Sequence, residues 1–333
     1  MITTLNISDI NTEHWNELLK NSLTASFFQT RECYDFYSSL SFLKPFAFGV
    51  SENGKLLGLV CGYVIADGGK IKQFFSRRAI VPGGVLLAEN ISDEALQKLL
   101  DYTINSLKNK VIYIELRNYN DYSKYKNIFE KTGFKYNPHL NFHIQTTDIE
   151  EVKKKISDTK CKHIRRSLKH GAEIVETSKT EDIKSFYNII HDFYRKKIKL
   201  PFFDYEFFEK LIKLPSSVFL SIKYEDRIIG GSVCVILPNK AVYEWFRCGM
   251  EMSGKHIYPS TLATWAGIEY AAKNGYRYFD MMGAGKPDKD YGVREYKKEF
   301  GGTLVEHGRF LYLCNNFLYR LGRFYIEKIR KVK

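Results

Sequence analysis

The chain has 333 residues, 44% of them hydrophobic and 15% aromatic, with 51 Lys and Arg against 38 Asp and Glu for a net charge of +13. That length is more than one hydrophobic core usually fills, and apolar residues spread along the whole sequence exclude long disorder. The positive balance suits polyanionic partners such as RNA, nucleotide diphosphates or anionic lipid surfaces, and equally suits a lysine-rich solvated surface. The six cysteines (Cys33, Cys61, Cys161, Cys234, Cys248 and Cys314) form no Cys-x-x-Cys pair and no zinc-type cluster with His. They read as reduced thiols, with no metal site. The opening MITTLNISDINTEHW has no basic-then-apolar pattern, and no window approaches the roughly 18 apolar residues of a membrane span. The expectation is a cytoplasmic protein.

In chain order, FAFGVSENGKLLGLVC (46–61) reads as an alternating strand, a tight turn at Asn53-Gly54 and a second strand containing Gly58. A helix is predicted over Ser92–Leu107, with Ser92 as cap and Ala95, Leu96, Leu99, Leu100 and Ile104 on one face. A buried strand follows at Val111–Leu116, and FEKTGF (129–134) reads as a helix end passing a glycine into a last strand. Residues 148–157 and 159–171 form two short helices, the second strongly basic and stopped at Gly171. AEIVET is a strand, Thr180–Lys197 a long helix, and Asp204–Leu214 a shorter one ending before Pro215.

The pattern then recurs. FLSIKYEDRIIGGSVC (219–234) repeats the hairpin at an offset of about 173 residues, which drops by one at Gly58 and Gly230. The two hairpin turns are therefore expected to differ in length. A helix over Pro259–Lys273, with Pro259 in its first turn and Gly275 at its exit, precedes a buried strand at Tyr276–Met282. YKKEFGG (296–302) repeats the helix-to-glycine-to-strand ending. The order hairpin, helix, strand, helix, strand occurs twice, and it is similar to the GNAT acyltransferase fold. The fold class is α/β with mixed sheets, in two tandem GNAT-like domains. Residues 1–147 form the first, 148–314 the second, and 315–333 an amphipathic helix packing back on the first domain. In that helix Phe317, Leu318, Leu321, Phe324, Tyr325 and Ile329 oppose Arg320, Arg323, Lys328 and Arg330. Packing on a domain surface or lying on a membrane would both suit it.

Several segments resemble the FemABX family and its looser FemAB-like relatives. SFFQTRECYDFY is similar to the family's early Gln-containing helix entry, SRRAIVPGGVLL to its first-domain Gly-Gly strand, and KCKHIRRSLKHGAEI to its basic joining segment. Tyr258-Pro259 leading to Trp265 resembles the second-domain helix start. FDMMGAG (279–285) and YGVREYKKEFGG (291–302) resemble the family's strand end and its Phe-Lys-x-x-Phe-Gly-Gly motif. The resemblance implies a transferase that moves an amino acid from aminoacyl-tRNA, or an acyl group, onto an amine of a cell-wall or sugar-nucleotide precursor. An acyl-CoA-dependent N-acyltransferase of polysaccharide biosynthesis, and a non-catalytic RNA- or membrane-binding protein of the same fold, are the alternatives. Two features depart from the family. The stretch Tyr34–Ser39 lacks the lysine that contacts the precursor diphosphate in typical members, and RKKIKLPFFDYEFFEKL (195–211) replaces an Arg-Asp-Gly segment.

Acyl transfer to an amine passes through an oxyanion and needs a donor for the developing charge. By resemblance Lys297, beside Tyr296, is that donor. Asp280 either orients and deprotonates the acceptor amine or holds amides of the following turn. Gly283 and Gly285 permit close backbone approach or simply a turn. Arg195 and Lys197 match a basic substrate contact, or a solvated helix end. Arg247, on an aromatic strand, requires a carboxylate or a ligand phosphate. With Tyr258, Arg247, Asp280 and Lys297 are expected to line a cleft. No tightly bound cofactor is expected; aminoacyl-tRNA or acyl-CoA is the donor substrate. The expected partners are tRNA, a phosphate-bearing precursor and, peripherally, the anionic inner membrane surface. The sequence leaves the oligomeric state open.

Overall fold

The computed structural model describes residues 1–69, 73–199 and 201–331, without the side chains of 325–331. Tyr325, Lys328, Ile329 and Arg330 of the expected amphipathic pattern lie outside the described side chains. The chain forms two compact units, residues 1–138 with 307–333, and residues 139–306.

The first unit begins with strands β1 (Ile2–Asn6), β2 (Lys44–Glu52), β3 (Lys55–Ile65), β4 (Arg78–Gly83), β5 (Leu86–Leu87), β6 (Tyr113–Asn118) and β7 (Lys135–Asn137). The second contains β8 (Leu140–Gln145), β9 (Glu173–Glu176), β10 (Ser217–Tyr224), β11 (Arg227–Leu237), β12 (Ala241–Gly249), β13 (Tyr278–Gly283) and β14 (Thr303–Glu306). The chain then returns to the first unit for β15 (Arg309–Leu313) and the helix Asn316–Lys331.

Each sheet has the same plan. The first runs β1-β2-β3-β4-β6-β15-β7, with β5 also on β3; the second runs β9-β10-β11-β12-β13-β8-β14. In both, the central pair is parallel, β4 with β6 and β12 with β13, and its neighbours are antiparallel. The sixth place is filled by exchange. β8 follows β7 in sequence but pairs with β13 and β14, whereas β15 follows β14 but pairs with β6 and β7. This exchange is the physical reason the units differ at their edges from the expected 1–147 and 148–314: strand pairing places residues 139–147 with the second unit and 307–314 with the first, with which the helix of 315–333 was expected to pack.

The two hairpins match more closely than their sequences suggest. Both turns have two residues in left-handed conformation, Asn53-Gly54 and Glu225-Asp226, the geometry that a right-twisted hairpin favours. Both hairpins carry a bulge at the same place, Val50 opposite Gly58 and Ile222 opposite Gly230. The turns are thus equal in length and the structural offset is 172 throughout, correcting the expected difference. Helices Asp93–Leu107 and Pro259–Lys273 stand where the sequence put them, the first capped by Ser92 Oγ accepting from Ala95 N. Leu262, Trp265 and Ile268 of the second helix are buried in the core of the second unit, each contributing roughly 1.5–3 kcal/mol.

Candidate active site

The second unit's central strands part early. β12 and β13 pair only at Ala241–Tyr278, Val242–Phe279 and Tyr243–Asp280. Beyond that point β12 runs on through Gly249 and β13 through Gly283 without each other. A buried charged cluster occupies the opening.

Its centre is Lys297, on the helix Gly292–Lys298 and 6% exposed. Its Nζ donates to the carbonyl oxygens of Met281, Met282 (3.3 Å) and Gly283 (2.9 Å), in the part of β13 that lies beyond its pairing with β12. Burial lowers its pKa to about 8, against the raising influence of Glu244 and Asp280. The loop after this helix is tightly set: Gly301 has φ +76°, and a Cβ there would lie 2.3 Å from the Lys155 carbonyl oxygen, so no other residue fits without a shift.

Glu244 and Arg247 reach the same face of β12 because of a bulge. Glu244 pairs with Cys234 and Phe246 with Val233, so Trp245 is an extra residue. Without it, residues three apart on a strand would point to opposite faces. Glu244 is buried, accepts from Thr264 Oγ1 at 3.0 Å and lies 3.7 Å from Arg247 Nε. Burial pushes its carboxyl up, although Arg247 and Lys297 oppose the shift. The Arg247 guanidinium stacks 4.4 Å over the Tyr296 ring. The Tyr296 hydroxyl bonds to the Ser260 carbonyl (2.8 Å) and to Thr264 Oγ1 (3.2 Å), tying the motif helix to the first turns of Pro259–Lys273. Gly249 makes this junction possible, since a Cβ there would lie 2.4 Å from Ser260 N. Lys160, on the helix Asp158–Lys169, also lies over the Tyr296 ring at 4.3 Å and pairs with Glu299 at 2.9 Å.

Asp280 is fully buried. Its Oδ1 accepts from Met282 N at 2.7 Å, holding Met282 in the left-handed region at φ +61°. Its Oδ2 lies 3.2 Å from His143 Nε2. Burial lowers the His143 pKa, but the Asp280 carboxylate outweighs it and the net shift is upward. Of the two roles expected for Asp280, holding the turn fits this geometry; direct contact with an acceptor amine does not, because no surface of it is exposed. Gly285 (φ +80°) and Gly283 shape the same turn, which Arg294 fastens through the carbonyls of Ala284 (3.0 Å) and Lys286.

Lys297, Asp280, Tyr296 and Arg247 therefore come together, with Gly283 and Gly285 bordering them. Tyr258 lies at the start of Pro259–Lys273, its ring stacked 3.6 Å from His163 and its N–H donating to Ser167 Oγ. Arg195 and Lys197 are not drawn in. They sit exposed on a π-helical turn, Tyr194–Ile198, paired with Asp192 (3.0 Å) and Glu251 (3.7 Å). A cavity of about 570 Å³ lies in the first unit beside His14 and Asn53, and one of about 250 Å³ in the second beside Glu176 and Ser217; neither is lined by these residues. Sequence reasoning passed over Glu244, Thr264, His143 and Lys160. Glu244 alone carried a signal, as a carboxylate inside the apolar strand AVYEWFRCG.

Residues 217–326 match the model of the FemAB family. No curated protein matches the sequence. Among solved structures, "Crystal structure of FemX" superposes with a TM-score of 0.72 at 14% identity, covering 96% of this chain and 99% of that one. A tandem GNAT protein from the clavulanic acid biosynthesis pathway aligns at 0.58 and 10% identity, over 95% of this chain and 99% of that one. L-PGS from Bacillus licheniformis aligns at 0.57 and 14% identity, over 94% and 96%. The fold expected from the sequence, two GNAT-like domains in tandem, is the fold of the chain.

Proposed function

We propose that this FemAB-like chain is a transferase that moves an aminoacyl or acyl group onto an amine, with the reacting groups meeting where β12 and β13 part. The observation that carries the reading is the ammonium of Lys297 inside that opening, beside Glu244 and Arg247. The family match over residues 217–326, which include Arg247, Tyr258, Asp280, Tyr296 and Lys297, supports it. Acyl transfer builds negative charge on the carbonyl oxygen, and a preset cation in a water-poor site stabilises that charge far better than in bulk water. Lys297 spends its donors on three backbone carbonyls, so an oxyanion would be stabilised by displacing one of them. An amine of a cell-wall or sugar-nucleotide precursor is the proposed acceptor, and aminoacyl-tRNA the proposed donor, with acyl-CoA as the other donor class.

The complete pairing of Lys297 and the burial of Asp280 favour one rival, a binding protein that keeps the fold without catalysis. Incubation of the full chain with charged tRNA and, separately, a panel of acyl-CoAs separates the two. Transfer of label to an amine-bearing cell-wall or sugar-nucleotide precursor, lost in Lys297→Met, supports the enzyme. Specific binding of tRNA with no transfer from any donor to any acceptor supports the rival.

A further inference from the structure

The helix Asn316–Lys331 presents its apolar side to solvent. Phe317 is 74% exposed, Leu321 46% and Phe324 65%. Their spacing of four and three residues places them in one stripe. The opposite side faces the unit: Tyr319 packs edge-on against Tyr113 of β6 at 5.4 Å, and a Cβ on Gly322 would lie 4.0 Å from the Phe75 carbonyl oxygen. That second contact brings in another exposed aromatic pair, Phe74 (50%) and Phe75 (45%). Arg77 stacks 5.0 Å over Phe74.

Exposed apolar residues this large and this close together mark a surface that something covers. The charge around them says what. Arg320 and Arg323 are exposed beside the stripe, and residues 315–333 carry six basic side chains against the single acidic Glu327. A second copy of this chain would bring the same positive charge against it. An anionic bilayer offers both a hydrocarbon boundary for the aromatic rings and phosphates for the guanidiniums.

We infer that the stripe of Phe317, Leu321 and Phe324, together with the exposed Phe74 and Phe75 whose backbone borders the same helix, docks on an anionic lipid surface, the helix lying in the headgroup layer. Among the described residues no helix is long and apolar enough to cross a membrane, so the contact is with the surface alone. It is independent of the reading of the Lys297 site.

The test is sedimentation of the full chain with phosphatidylcholine vesicles containing one-third phosphatidylglycerol, and with phosphatidylcholine alone. Binding at least about tenfold tighter to the anionic vesicles, weakened by high salt, is expected. The variant Phe317→Ser/Leu321→Ser/Phe324→Ser should lose about tenfold or more of that binding while keeping its circular dichroism and melting temperature. Should that variant misfold, Phe74→Ser/Phe75→Ser decides in its place, with the same loss expected. Wild-type chain that ignores anionic vesicles, or variants that bind as it does, overturns the inference. So does a wild-type dimer in light scattering that the triple variant converts to monomer, because the stripe would then be a self-association face.

Discussion

The two sheets share a strand plan yet differ at the point where chemistry would occur. In the first unit β4 and β6 stay paired over six positions, from Arg78–Tyr113 to Gly83–Asn118; in the second β12 and β13 stay paired over three. The carbonyls at the end of β4 meet neutral donors. Gln29 Nε2 reaches the oxygens of Gly83 and Gly84, both at 3.1 Å, and the Tyr122 hydroxyl reaches those of Gly83 and Val85. The carbonyls at the end of β13 meet an ammonium. The third pair of each parallel couple repeats the contrast. Glu115, opposite Ile80, is clamped by Arg117 (2.7 Å) and Arg309 (3.0 Å). Burial pushes its carboxyl up, but the two guanidiniums outweigh burial and hold it at about 2. Asp280, opposite Tyr243, holds a left-handed turn instead. One copy of the fold caps its strand-end carbonyls with the neutral Gln29 and Tyr122; the other caps them with a titratable cation. A repeated fold can therefore specialise by changing a handful of residues at one sheet end.

The contrast is sharpened most by removing the cation. Lys297→Met should lower transfer on the order of 10²–10³-fold and, because it strips a buried donor from three carbonyls, also cost about 1–3 kcal/mol of stability. Turnover and a urea melt together check this. Lys297→Arg, which keeps the charge, should recover stability more than rate, since a planar guanidinium does not reproduce a point charge. Wild-type turnover in Lys297→Met would make the two sheet ends equivalent, both merely structural. The mirror experiment is Tyr122→Phe. It should cost about 1 kcal/mol, because Gly83 and Val85 keep second donors in Gln29 and Thr24, and leave transfer unchanged. A rate loss without unfolding would give the first unit a part in the chemistry.

Much of this was legible in the sequence, for reasons that also explain the gaps. The helices at 93–107 and 259–273 follow from local periodicity and caps, and the duplicated hairpins from turn residues and glycines. The motif around Lys297 came from resemblance, and its glycine proved sterically required at Gly301. The exchange of β8 and β15 was not legible, because local pattern identifies a strand without naming its neighbour. The Glu244–Arg247 pair was hidden for a related reason. Plain alternation puts residues three apart on opposite faces, and only the bulge at Trp245 reverses that.

A smaller effect distinguishes the two roles of Asp280. Asp280→Asn keeps an oxygen that can accept from Met282 N, so the turn and its left-handed Met282 should survive. Transfer within a few-fold of wild type is the expected outcome. A general base at this position would instead lose about 10²–10⁴ in rate, and a loss of that size in a folded variant would return Asp280 to the mechanism.

The finest comparison uses pH. A neutral plug such as Gln29 does not titrate, whereas Lys297 does so near 8. Transfer should therefore fall as pH rises through about 8, where the ammonium loses its charge, and Lys297→Arg should remove that fall. Stability moves the other way. The folded pKa lies below the ordinary 10.5, so between about 8 and 10.5 the unfolded chain binds more protons and stability rises with pH. Below about 8 the cost of burying the ammonium is felt in full. Glu244 tunes the position of this limb, since its carboxylate is the largest influence opposing burial in holding the proton on Lys297. Glu244→Gln keeps the bond from Thr264 to an oxygen but deletes the charge, so the fall in rate should shift to lower pH with the maximal rate little changed. A limb that stays in place would separate Glu244 from Lys297 electrostatically, and a limb that vanishes would assign the titration to Glu244 itself.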